Sequence, residues 1–330
     1  MGKIVLVTGT SLVPKAARDY MESRGYQVRY IAQDAFTADE LSEALTDASG
    51  YLIGGYEEPL ASHFEAATKL EAVAWVGTDY RAYVPGWERA IELGIAFLNS
   101  PGTNAISVAE FTALLTLSLT RPFISRIVRP GEPVSDLSAP GSDLYRHRLG
   151  IIGLGRIGSR VARIAKFGFE MEVVYSGPRR HESLEHAVGV EYVEKDVLLS
   201  SSDVISLHRP SPRENEPYEL GQHEFALMKD GALVVNTVHA QLIDMSALRW
   251  AIETKGIRAA QDGVGSGESW EKLVALGSEK FLAVPSMAFN TADANLRASM
   301  RTAAGVCDVL EGGTSPDVNN PDFRSVHRAR

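Results

Sequence analysis

The chain has 330 residues, 45% hydrophobic and 23% charged, a composition that excludes disorder and fibrous repeats and a length that calls for two compact units. A formal charge of −9, with no basic run longer than Arg179-Arg180, argues against a nucleic-acid partner, and no apolar stretch approaches the roughly 18 residues of a membrane span. The single cysteine, Cys307, and an N-terminus that runs straight into the apolar Ile4-Val-Leu-Val7 point to a soluble protein of the reducing cytoplasm, without membrane contact.

Apolar strand-like runs alternate with amphipathic segments from the start: Lys3–Thr8 then Val13–Gly25, Gly50–Gly54 then Leu60–Leu70, Val73–Val76 then Trp87–Leu93, and Ala96–Leu98. This βαβ rhythm predicts a parallel sheet covered by helices on both faces. A long apolar helix follows over Asn104–Leu119, and the Pro-, Gly- and Ser-rich stretch Arg129–Ser142 reads as a linker or surface loop. A second α/β run then places strands at Leu149–Gly153, Glu172–Tyr175, Val204–Leu207, Ala232–Asn236, Ile257–Gln261 and Phe281–Val284. The apolar helix Ala292–Leu310 closes the series and is expected to return to the first unit.

Gly153-Leu-Gly155-Arg156-Ile157-Gly158 follows the strand Leu149–Ile152 and opens the helix Ser159–Phe167, the context that the dinucleotide fingerprint requires. In that reading Gly153 makes the tight turn, Gly155 lets backbone approach a pyrophosphate, and Gly158 packs helix on strand. An NAD site usually places a carboxylate at the end of the next strand to bind the ribose 2′-hydroxyl. Here Ser176 stands there, followed by Gly177-Pro178-Arg179-Arg180, so the expected cofactor is NADP(H), with the two guanidiniums meeting its 2′-phosphate. The other reading of the arginines is a solvated surface pair.

At Asn99–Glu110, Leu149–Gly158, Asp203–Pro210, and Leu227–Thr237 followed by Leu242-Ile-Asp244, the sequence resembles the D-isomer-specific 2-hydroxyacid dehydrogenase family, over nearly its whole length. That family includes glyoxylate/hydroxypyruvate reductases, phosphoglycerate dehydrogenases and formate dehydrogenase. The resemblance implies two Rossmann-like or flavodoxin-like α/β domains with doubly wound parallel sheets, the cofactor domain (102–287) inserted into the substrate domain (1–101 with 288–330). It also implies a homodimer that uses the helix beginning near Asn104. His208 and Pro210 match a cofactor-side phrase, Thr237 and Val238 lie beside the cofactor, and Asp262 matches an aspartate that meets the nicotinamide carboxamide.

The family's reactive trio is replaced throughout. The arginine's place in the N-T-x-R-G phrase is held by His239, the glutamate's by Gly265, and the histidine's by Ser286 in Val284-Pro285-Ser286. The substrate loop, usually G-V-G-Y-D, reads Trp75-Val76-Gly77-Thr78-Asp79 and continues into an aromatic stretch to Trp87. His239 is therefore either a relocated acid/base, since imidazole exchanges protons near neutral pH, or a residue that fills space beside the cofactor. Ser286 and Tyr80 are further catalytic candidates, with Asp79 and Tyr83 behind them. Trp75, Val76, Gly77 and Asn290 are expected to contact a small-molecule substrate, with Met287 and Phe289 at the mouth of the cleft. No metal motif occurs. The expected function is an NADP(H)-dependent oxidoreductase acting on a C=O, C=N or activated C=C of a small polar metabolite. A non-catalytic NADP(H)-binding regulator and an ordinary 2-oxo acid reductase are the alternatives.

Overall fold

In the computed structural model, residues 2–121, 124–128, 130–131, 140–210 and 216–326 are described. Most of the expected linker at 129–142 lies outside them. The chain divides into two compact units, one from Met1–Asn104 with Asn290–Arg330 and the other from Ala105–Phe289. No helix among the described residues is long and apolar enough to cross a membrane.

The first unit carries five strands: β1 Ile4–Thr8, β2 Gln27–Ile31, β3 Gly50–Ile53, β4 Ala72–Trp75 and β5 Ala96–Leu98. They pair in parallel in the order β2-β1-β3-β4-β5. Strand β2 and the helix Ala38–Leu45 were not anticipated. The helix opens with a capping box, Thr37 accepting from the Glu40 N–H while the Glu40 carboxylate accepts from the Thr37 N–H. The helix expected at Leu60–Leu70 is shorter, Ala61–Ala66. Ala292–Leu310 packs across β3, β4 and β5 and beside the helix Lys15–Ser23, and buries one face from Ala294 to Leu310. The outer edge of β5 is covered by the C-terminal segment, where Asn319 N–H donates to the Phe97 carbonyl at 2.8 Å and Asn320 Oδ1 accepts from the Phe97 N–H at 2.9 Å.

Strand order in this unit reverses between β1 and β3, the place where open α/β sheets usually leave a crevice. Here it is closed. A methyl group on Gly9 would come within 2.0 Å of the Gly54 carbonyl oxygen, so the two loops meet backbone to backbone. Beneath them lies the buried carboxyl of Glu57, which accepts from the Thr8 hydroxyl and, at 2.7 Å, from the Tyr51 hydroxyl; its Oε2 has no partner among the described residues.

Burial raises the Glu57 pKa above its ordinary 4.5, the hydroxyl bonds opposing this. The folded protein therefore keeps a proton that the unfolded chain releases, and its stability falls as pH rises from 4.5 towards the folded-state pKa. Glu57→Gln removes that contribution. Urea denaturation of both proteins between pH 4.5 and 8 is expected to show the variant gaining on the parent as pH rises, and a constant or shrinking difference would contradict the burial argument.

The second unit holds seven strands: β6 Arg148–Ile152, β7 Glu172–Ser176, β8 Glu191–Tyr192, β9 Val204–Leu207, β10 Leu233–Asn236, β11 Arg258–Asp262 and β12 Phe281–Val284. All are parallel, in the order β12-β11-β10-β9-β6-β7-β8. Apolar layers pack on both faces, one built around Leu198, Phe225, Leu248 and Phe281 and the other around Leu115, Ile151, Val161 and Tyr175. This explains why the strands read as continuous apolar runs rather than alternating ones.

Candidate functional site

Strand order in the second unit reverses between β6 and β9, and the glycine turn leaves β6 at that point. Gly153 adopts φ +98°, and a methyl there would lie 2.7 Å from the His208 carbonyl oxygen in the loop after β9. At Gly158, which begins the α-helix Gly158–Arg163, a methyl would lie 2.3 Å from the Gly153 carbonyl oxygen. Gly155 differs from both: nothing lies within 4 Å of where its Cβ would be. Arg156 is exposed and Ile157 partly buried.

His208 follows β9 and is buried, with Nε2 2.8 Å from the Ser206 hydroxyl and Nδ1 without a partner among the described residues. Burial pushes its imidazole down to about 3, so it is neutral at physiological pH. Pro210 beside it is exposed. The next residue, Arg209, is tied to Glu216 and Glu219.

Ser176 ends β7 with its side chain buried, and its carbonyl accepts from the Gly153 N–H at 2.9 Å. The two arginines beyond it part company. Arg179 is exposed, whereas Arg180 is bound side-on to Glu185, with Nη2 to Oε2 at 2.5 Å and Nε to Oε1 at 3.2 Å. Of the two guanidiniums expected to meet a 2′-phosphate, Arg180 thus already has a carboxylate partner.

After β10 the chain turns through Asn236–His239, and the fully buried Asn236 holds that turn. Its Nδ2 donates to the His239 carbonyl and to Gln261 Oε1, both at 2.9 Å, and its Oδ1 accepts from the Val238 N–H at 2.9 Å. Thr237 places its hydroxyl 3.3 Å from that of Thr112. The half-buried His239 accepts at Nδ1 from the Gln241 N–H at 3.3 Å, which places the proton of the neutral ring on Nε2.

Asp262 ends β11, and its two carboxylate oxygens accept from the N–H groups of Met287 and Ala288, at 2.6 and 3.0 Å. Burial raises its pKa, with these two bonds pulling the other way. Asp262 thus clamps the loop after β12. That loop carries Ser286 in the left-handed region, φ +39°, with its side chain exposed. Phe289 is partly buried and Met287 exposed.

In the first unit, Trp75 ends β4 buried, stacked on Tyr83 with ring centroids 5.2 Å apart, and its indole lies over Gly77. Val76 is buried as well, and Gly77 uses its carbonyl to accept from the Ser100 N–H and hydroxyl. Tyr80, expected as a proton donor, instead packs in the core against Phe97 and Trp87, at 4.8 and 5.4 Å between ring centroids, because the short helical turn Tyr80–Ala82 directs it inward. Asn290 is exposed and accepts from Asn295 Nδ2 at 2.8 Å. Among the described residues no three His, Cys, Asp or Glu side chains are grouped to hold a metal ion.

Sequence reading missed the roles of Asn236, Glu185 and Tyr175. Asn236 alone had a visible signal, its place in the Asn-Thr phrase.

A model of the D-isomer-specific 2-hydroxyacid dehydrogenase NAD-binding domain matches residues 111–288. A glyoxylate reductase of Korarchaeum cryptofilum is 36% identical over 208 residues, 61% of this chain and 60% of the relative's length. A glyoxylate reductase of Aeropyrum pernix is 33% identical over 253 residues, covering 73% of this chain and 74% of the relative. Among solved structures, apo D-lactate dehydrogenase of Escherichia coli superposes with a TM-score of 0.80 at 25% identity, covering 95% of this chain and 99% of that one.

Proposed function

The chain belongs to the D-isomer-specific 2-hydroxyacid dehydrogenase family, and from that premise we propose that it is an oxidoreductase that uses NADP(H) on a small polar metabolite with its own set of proton-handling groups. The observation that carries the coenzyme half is the glycine turn. It leaves open space at Gly155 alone, at the strand-order reversal between β6 and β9, where backbone can approach a pyrophosphate. The orphaned Nδ1 of buried His208 fits a bound group nearby.

When bound, the nicotinamide ring supplies or accepts the hydride. The backbone of Gly153, Gly155, Arg156, Ile157 and Gly158 would cradle the phosphates. Ser176 would meet the ribose and Arg179 the 2′-phosphate. Pro210, Thr237, Val238 and Asp262 would frame the dinucleotide, Asp262 chiefly by fixing the Met287–Ala288 backbone. His239 would donate a hydrogen bond from Nε2, the nitrogen that its Gln241 bond leaves protonated, to the developing alkoxide or amine and so stabilise its charge, while solvent supplies the proton. Ser286 could orient the same substrate group. In the first unit, taken by itself, Gly77 and Asn290 are the expected substrate contacts, while Trp75 and Val76 are buried.

Fluorescence titration with NADPH and NADH tests the reading. NADPH is expected to bind about tenfold tighter, the scale of one charge-assisted contact. Failure to bind either coenzyme would remove the proposal altogether, and equal binding would remove the preference for NADP(H). A regulator that binds the coenzyme without turnover is the second reading, favoured by the absence of the family's trio at His239, Gly265 and Ser286. Tight coenzyme binding without hydride transfer to any carbonyl or imine offered would select it. The cytoplasmic and homodimeric expectations stay with this proposal.

A further inference from the structure

Arg179 and Arg180 are adjacent in sequence and unequal in circumstance. The carboxylate that holds Arg180 also accepts from the Tyr175 hydroxyl at 2.6 Å, and that hydroxyl accepts from the His181 N–H at 2.7 Å. The Glu185 side chain is only 14% exposed while that of Arg180 is 58% exposed, so the acid is anchored and the arginine reaches in to it. Beyond this pair, Tyr192 meets Tyr175 edge to face, and the Arg180 guanidinium lies 5.7 Å from the Tyr192 ring. The loop 176–181 is thus pinned by the pair and by Tyr175. Held by these donors, the Glu185 carboxyl is drawn down to about 2 and is ionised throughout the physiological range. Arg179 makes no hydrogen bond or ion pair among the described residues.

We propose that Glu185 sets coenzyme specificity: it commits Arg180 to shaping the loop, leaves Arg179 as the guanidinium that meets the 2′-phosphate of NADP(H), and limits phosphate affinity through its own negative charge. This rests on the NADP(H) reading above. A guanidinium bound on two nitrogens by a carboxylate presents little net charge to a second anion, so the charge of Glu185 withholds the attraction that Arg180 would otherwise offer the phosphate. The chain therefore carries both an attractive and an opposing element at one subsite, and discrimination depends on their difference.

Calorimetric titration of the full chain with NADPH, NADH and 2′,5′-ADP provides the test. Glu185→Gln keeps an acceptor for Tyr175 and releases Arg180; NADPH and 2′,5′-ADP are expected to tighten about fivefold, with NADH changed less than about twofold. Arg179→Ala is expected to weaken NADPH about tenfold and leave NADH unchanged. The double variant Arg180→Ala/Glu185→Ala, which removes the pair together, should hold the NADPH:NADH ratio within about threefold of the parent.

An unchanged or lowered ratio in Glu185→Gln, or a collapse of the ratio in the double variant, would overturn the inference. The two readings fail separately. A parent protein that prefers NADH refutes NADP(H) use, while a rise of the ratio in Glu185→Gln would still support the role of Glu185. A parent that prefers NADPH with no response to Glu185→Gln leaves the coenzyme assignment standing and refutes Glu185.

Discussion

Gly155→Val is expected to yield a folded protein that has lost nicotinamide-coenzyme binding by at least about a hundredfold, roughly 3 kcal/mol. The three glycines of the turn serve different ends, and only this one separates folding from binding. At Gly153 a side chain meets both a left-handed backbone and the His208 carbonyl, and at Gly158 it meets the Gly153 carbonyl. Substitution at either strains the protein itself. At Gly155 the added atoms enter empty space, so the damage falls on whatever ligand uses that space. Circular dichroism and urea midpoints should match the parent, while NADPH titration shows no saturation. Retained binding within about tenfold of the parent would show that the turn does not cradle a pyrophosphate.

Asn236→Leu is expected to destabilise the second unit by about 3 kcal/mol and to reduce any turnover more than about tenfold. Leucine is close in size, so packing is nearly conserved and the loss is polar. Three bonds disappear together, leaving the Val238 N–H, the His239 carbonyl and Gln261 Oε1 without that partner. Each such buried group costs roughly 1–3 kcal/mol, less than additively where they share a turn. The same bonds fix the backbone on which His239 sits, which links the stability loss to chemistry. A urea-derived change below about 1 kcal/mol would mean that the turn holds without its asparagine.

The βαβ frame was legible wherever strands are buried on both faces, because Leu149–Ile152 or Leu233–Val235 present unbroken apolar runs. It was illegible at the sheet margin. Strand β2, Gln27-Val-Arg-Tyr-Ile, is a half-buried edge whose polar residues conceal it, and the helix that follows was missed although Thr37-x-x-Glu40 fits a capping box. Strand β8 has two residues and no periodicity to detect.

At the site, the glycine spacing carried the turn because Gly153 and Gly158 each answer a local steric demand, while Gly155 faces open space. The arginine pair misled because the partner of Arg180 comes from a π-helical turn, Glu185–Gly189, that sequence spacing does not reveal. Tyr80 misled for a different reason: a catalytic candidate by its place in the substrate loop, it has its ring enclosed by Phe97 and Trp87. Asn236 was visible as a motif letter but not as a bond-maker, since Gln261 reaches it only through the β10–β11 register.

The helix Ala292–Leu310 belongs to the unit begun by the first 104 residues, and this imposes an order on biosynthesis. A ribosome releases β1 to β5 long before the segment that must cover β3 and β4 has been translated, and the whole intervening unit is free to fold in the interval. The nascent amino-terminal half therefore waits with an uncovered apolar sheet face, a natural client for chaperones. Circular permutants that begin near Asn290, and so place that helix ahead of β1 in the chain, should be less prone to aggregation during expression.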